Sequence, residues 1–84
     1  MQIDFHRNFR KLYKKQPPKI KEKFNEQLGI FMNDPFDILL NNHALKGSLK
    51  KYRSINVTND VRAWYQLNNN KIVFIKIGSH SELY

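Results

Sequence analysis

The sequence predicts a two-layer α+β domain in which an N-terminal helical hairpin packs on one face of a small, mostly antiparallel sheet. Three observations predict it. The first third of the chain spaces its apolar residues at helical intervals and is punctuated by prolines. The second half alternates polar and apolar residues in runs rich in β-branched and aromatic side chains, with turn residues between the runs. Finally, 84 residues, 40% of them hydrophobic, suffice for one small core, so residues 1–84 are read as a single domain.

Ile3-Asp4-Phe5 is expected to form a short first strand. Phe5, Phe9, Leu12 and Tyr13 then follow the i, i+4, i+7, i+8 spacing of a helix running from about Arg7. Gln16-Pro17-Pro18 ends that helix, because a residue before proline is driven out of the α region. Pro18 suits the first turn of a second helix. Its apolar stripe is Ile20, Phe24, Leu28, Phe31 and Met32, and Asn33-Asp34-Pro35 stops it. Residues 36–42 read as a connector whose Phe36, Leu39 and Leu40 tuck under the sheet, and His43-Ala44-Leu45-Lys46-Gly47 as a turn closed by glycine. Strands are expected over about 49–57, 60–67 and 71–77. The first two meet at a Thr58-Asn59-Asp60 corner and the last two at Asn68-Asn69-Asn70, a turn that accepts positive φ. Plain alternation puts Val73, Ile75 and Ile77 on one face of the last strand and Ile72, Phe74 and Lys76 on the other.

Composition narrows the function classes. Zero cysteines rule out disulfides and thiolate metal sites and fit a reducing cytoplasm. The histidines, at positions 6, 43 and 80, lack metal-ligand spacing, so no metal or other cofactor is expected. No apolar run is long enough to span a membrane, and the N-terminus shows no apolar leader segment. Fifteen Lys and Arg against seven Asp and Glu leave a net charge of +8. That density points to a polyanionic partner such as RNA. Arg7, Arg10, Lys11, Lys14, Lys15, Lys19, Lys21 and Lys23 crowd the helical third, either as a solvated face or as an RNA surface.

The chemistry gathers around the stretch Tyr52 to Tyr65. Alternation places Ser54, Asn56, Asp60 and Arg62 on one face, with Ile55, Val57, Val61 and Ala63 on the other. The tail Gly78-Ser79-His80-Ser81-Glu82-Leu83-Tyr84 follows a strand that should lie beside this hairpin, bringing His80 and Tyr84 to the edge of the polar face. Together with His43 these make a candidate catalytic set: His43, Asp60, Arg62, His80 and Tyr84. RNA cleaves itself when a base takes the 2′-hydroxyl proton, an acid protonates the leaving 5′-oxygen and a cation steadies the phosphorane. Histidine suits both proton transfers, and arginine the charge. Lys46, Lys50, Lys51, Ser54, Asn56 and Trp64 are candidate RNA contacts. Each has a plainer alternative. His43 can simply bond within its turn, Asp60 can be a turn-former, and Arg62 can pair with Asp60. Ser54 and Asn56 can be ordinary strand residues, and Trp64 and Tyr52 can pack rather than stack on bases. Arg53, on the core side, is expected to make a structural contact.

As a set, His43-Ala44-Leu45-Lys46-Gly47, Tyr52-Arg53-Ser54-Ile55-Asn56-Val57, Asp60-Val61-Arg62, Tyr65 and Ile77-Gly78-Ser79-His80-Ser81-Glu82-Leu83-Tyr84 resemble the RelE/YafQ-type toxins of bacterial type II toxin–antitoxin pairs. The likeness is dense over the last 42 residues and one of length and pattern over the helical part. It implies a RelE-like fold and metal-independent mRNA cleavage leaving a 2′,3′-cyclic phosphate, carried out in the ribosomal A site. It also implies inhibition by a cognate antitoxin. By position it makes His43, Asp60 and His80 catalytic, puts Arg62 at a phosphate-binding arginine of the RelE branch, and gives Tyr84 the terminal aromatic place. Ser54 and Asn56 stand where YafQ-like members carry an acidic residue and a histidine. Two further readings stay open: a ParE-like toxin acting on gyrase without nuclease activity, and a degenerate module that binds RNA or antitoxin only.

Overall fold

The aromatic residues that give the first third its helical period meet those of the last strand in one core. A computed structural model describes residues 2–84. In it a strand β1 (Gln2–Phe5) leads into α1 (Arg7–Lys14) and α2 (Pro18–Asn33). A short strand β2 (His43–Ala44) precedes β3 (Tyr52–Asn56), β4 (Val61–Asn68) and β5 (Lys71–Ser79), and α3 (His80–Leu83) closes the chain. The sheet order is β1-β5-β4-β3-β2, antiparallel except for β1 beside β5. The expected α+β, two-layer architecture is therefore observed.

Local chemistry explains the boundaries. His6 caps α1, its Nδ1 accepting from the Asn8 amide at 3.0 Å. Pro18 occupies the first turn of α2, as the missing amide proton favours. Phe74 is the hub of the main core, its ring centre 5.5–5.8 Å from those of Phe5, Phe9, Phe24, Phe31 and Tyr65. Leu40, Ile55, Val57, Ala63 and Ile77 complete it from the sheet and connector. Gln27 is buried in α2 and donates through Nε2 to Leu39 O (3.3 Å) and Asn56 O (2.9 Å), tying helix to connector and β3.

Four expectations need correction. In the connector only Leu40 turns inward, while Phe36 and Leu39 are 66% and 64% exposed. The reason is local: Asp34 and Asp37 accept from the amides of Phe36 and Leu39 at 3.0 and 2.9 Å, winding tight turns that leave a single inward position. His43-Ala44 is a strand paired with Ser54 and Arg53 rather than a turn. The strand expected from 49 begins only at Tyr52, because a 3-10 turn, Gly47–Leu49, starts on Gly47 at φ 64°. Lastly, alternation breaks in β5. Trp64 faces Lys76 but Tyr65 faces Phe74, so Ile75 is an inserted bulge residue, and Asn8 Nδ2 donates to its carbonyl at 3.1 Å. Phe74 and Ile77, three positions apart, both enter the core, and Lys76 turns to the opposite face. The Asn68–Lys71 hairpin does use positive φ, at Asn69 (57°).

Candidate active site

The helices cover one face of the sheet. The other face is not the plain polar surface that alternation suggested. Trp64, 1% exposed, sits at its centre in a second small cluster with Leu45 and Leu83, flanked by Leu49 and Tyr52. Tyr52 stacks on its ring at 6.2 Å, Tyr84 meets it edge-on at 5.0 Å, and Lys76 holds Nζ 5.6 Å from the ring centre. This cluster anchors the two segments that carry the candidate histidines. Leu45 ties down the segment of His43, with its amide donating to Tyr52 O at 3.0 Å. Leu83 ties down the tail of His80.

Strand register sets out the face. His43 pairs with Ser54, Ser54 with Trp64 and Trp64 with Lys76, so these four form one row across β2, β3, β4 and β5. Neighbouring strands lie about 4.8 Å apart, so the row spans roughly 14 Å between backbones. Asn56, Arg62 and Gly78 form the next row. His80 follows at the end of β5, where its amide donates to Asp60 O at 3.0 Å, and its ring lies 4.6 Å from that of Tyr84. The tail turn is fixed by a capping box. Ser79 Oγ accepts from the Glu82 amide at 3.2 Å, and Glu82 Oε1 accepts from the Ser79 amide at 2.7 Å. Donation to the Glu82 carboxyl, by the Ser79 amide first and the Ser79 hydroxyl second, holds it below its ordinary pKa.

His43 is exposed, and its Nδ1 lies 2.8 Å from Asn41 O. A carbonyl only accepts, so in the neutral ring the proton sits on Nδ1, and Nε2 keeps its lone pair. Asn41 aims that carbonyl from the left-handed region, φ 46°. Arg62 is half-buried and spends Nη1 on Thr58 O (2.7 Å) and Val61 O (3.2 Å), leaving its other donors for a ligand. The alternative ion pair with Asp60 does not form: the salt bridges among the described residues are Lys23–Glu26 and Lys71–Asp4. Asp60 is an exposed corner residue just outside β4, not the first residue of a strand. Arg53 makes the expected structural contact, with Nε donating to Asn42 Oδ1 at 2.8 Å.

The candidate RNA contacts divide. Lys46, Lys50 and Lys51 are exposed in the β2–β3 connection. Asn56 is half-buried, and its Oδ1 is buried without a hydrogen-bond partner. Ser54 (2% exposed) and Trp64 (1%) are closed to direct contact, which corrects their expected role. Trp64 instead builds the surface on which the others stand. Lys76 is the residue that sequence reasoning missed. The bulge at Ile75 carries it onto the face of His43 and Arg62, and plain alternation cannot register such an insertion. Among the described residues no cluster of His, Asp or Glu could hold a metal ion.

The sequence profile of a family described as a bacterial toxin of type II toxin–antitoxin systems, YafQ, matches residues 1–84. No curated protein sequence matches the chain. Among solved structures, that of YafQ from E. coli strain BL21(DE3) superposes with a TM-score of 0.84 at 23% identity, covering 99% of this chain and 97% of that one. YafQ in the E. coli DinJ–YafQ toxin–antitoxin complex gives 0.72 at 27% identity over 99% and 96% of the two chains. The toxin-antitoxin complex RelBE2 of Mycobacterium tuberculosis gives 0.76 at 18% identity over 94% and 96%.

Proposed function

The chain belongs to the YafQ family of type II toxin–antitoxin toxins, and from that premise we propose that it is an endoribonuclease cutting mRNA, with the ribosome as its setting and a cognate antitoxin as its inhibitor. One observation carries the reading. A histidine with a free Nε2, a lysine and an arginine share one sheet face, and a second histidine is fixed at its edge by the Asp60 carbonyl.

His43 Nε2 takes the proton from the 2′-hydroxyl, and the freed oxygen attacks the adjacent phosphorus. Arg62 and Lys76, on adjacent strands of that face, offset the charge that builds on the phosphoryl oxygens. His80, protonated, delivers its proton to the departing 5′-oxygen. The products are a 2′,3′-cyclic phosphate and a 5′-hydroxyl, and no step calls for a metal ion. Asp60 positions His80, its backbone carbonyl accepting from the His80 amide. Tyr84, 60% exposed and edge-on to Trp64, offers a ring on which a base can stack. The net charge of +8 supports a polyanionic substrate. The relatives held in DinJ–YafQ and RelBE2 complexes support an antitoxin partner.

The test is induced expression with mapping of mRNA 5′ ends. Wild type should produce new 5′-hydroxyl ends and growth arrest, and His80→Ala neither. Growth arrest without new ends would favour the non-nuclease toxin.

A further inference from the structure

The helical face carries a groove that RNA cleavage leaves without a task. Phe5, Phe9, Tyr13, Phe24 and Leu28 floor a depression of about 520 Å³ between α1, α2 and the end of β1. Its rim is basic on both sides. Arg10 and Lys14 line it from α1, and Lys21 of α2 holds Nζ 5.8 Å from the centre of the Tyr13 ring. The helical period makes this a built feature. Residues 9, 10, 13 and 14 share one face of α1, and residues 21, 24, 25 and 28 share one face of α2. Neither stripe contains an acid. β1, which ends in Phe5 at the groove, is an edge strand of the sheet.

We propose that this groove seats an acidic segment of a protein partner, with apolar side chains on the aromatic floor and carboxylates on Arg10, Lys14 and Lys21. The proposal rests on the antitoxin reading above and names a surface that such a partner holds. Charge selects the occupant. A second copy of the chain, at net +8, is repelled by a basic rim. Nucleic acid matches the rim but not the floor: over the closed Phe9 and Phe24, the half-buried Phe5, Tyr13 and Leu28 present an apolar surface with almost no hydrogen-bonding group for a base edge or a sugar. An apolar segment flanked by Asp and Glu satisfies both. The sheet lies between this groove and the face of His43 and Lys76, so a segment seated here anchors the partner without touching the catalytic face. Closing that face falls to another part of the partner, and linking the two contacts multiplies affinity.

The probe is a synthetic helical peptide with leucines at i, i+4 and i+8 flanked by glutamates, titrated into isotope-labelled full-length protein. A lysine-for-glutamate version and an RNA oligonucleotide serve as the other arms. The glutamate peptide should bind saturably, shift resonances of Tyr13 and Leu28, and leave those of His43 and Lys76 in place. Arg10→Glu with Lys14→Glu, both exposed positions, should weaken it by about tenfold and strengthen the lysine peptide in return. No saturable binding, equal binding of both peptides, or RNA shifting the groove more than the peptide would each overturn the proposal. Co-purification with the product of the adjacent reading frame tests the partner reading separately, so the two failures are distinguishable.

Discussion

At the scale of single residues, backbone geometry prepares the chemistry. The left-handed Asn41 aims its carbonyl at His43 Nδ1 and thereby leaves the lone pair of the neutral ring on Nε2, the atom to which the proposed mechanism gives the 2′-hydroxyl proton. Glycine holds positive φ without strain, whereas a β-branched side chain resists it. Asn41→Gly should therefore keep the Nδ1-protonated form and the cleavage rate. Asn41→Val should mix the tautomers and slow cleavage, as nitrogen NMR of the imidazole would reveal. An unchanged tautomer in the valine variant would detach Asn41 from the mechanism. The sequence singled out His43, Arg62 and His80 because residue types suited to proton transfer and phosphate binding stand there, and the structure places Arg62 on the open face and His80 at its edge as alternation suggested. Lys76 was not legible, because one inserted residue reverses parity and leaves no mark in composition. Trp64 was misjudged for the opposite reason: alternation gave its face correctly but could not show that Leu45 and Leu83 close over it.

At the scale of elements, the last turn is the part most open to tuning. α3 is short and held by the Ser79–Glu82 box, the Asp60 carbonyl and the burial of Leu83. Because folding lowers the Glu82 pKa, its contribution is fully present above the ordinary carboxyl value of 4.5 and fades as pH falls through the folded-state value. Acidification below about 4.5 should thus loosen the tail before the core unfolds, and Trp64 fluorescence should report it, since Tyr84 and Leu83 pack there. Glu82→Gln should flatten that early change; an identical acid transition in both proteins would remove the capping box from the account. The helices and both hairpins were legible because prolines, asparagines and periodicity mark them locally. The pairing of β1 with β5 joins Gln2 to Lys71, a contact across nearly the whole chain that no local pattern carries.

At the scale of the molecule, two surfaces with different chemistry lie on opposite sides of one sheet. The open face carries Lys76 and Arg62, the β2–β3 connection adds the exposed Lys46, Lys50 and Lys51, and the helical face holds the aromatic groove. RNA binding should weaken steeply between low and physiological salt, because each neutralised phosphate releases counterions. An affinity flat across that range would remove charge as the basis of binding. The central claim, acid–base cleavage on the open face, is tested most directly by the purified protein cutting mRNA held on programmed ribosomes, with product ends identified. Wild type should leave 2′,3′-cyclic phosphate ends. His43→Ala and His80→Ala, both at exposed positions, should each lower the rate by roughly 10²–10⁴ while melting like wild type. If both variants cut at the wild-type rate, or the wild type leaves other ends, the assignment is wrong at its centre.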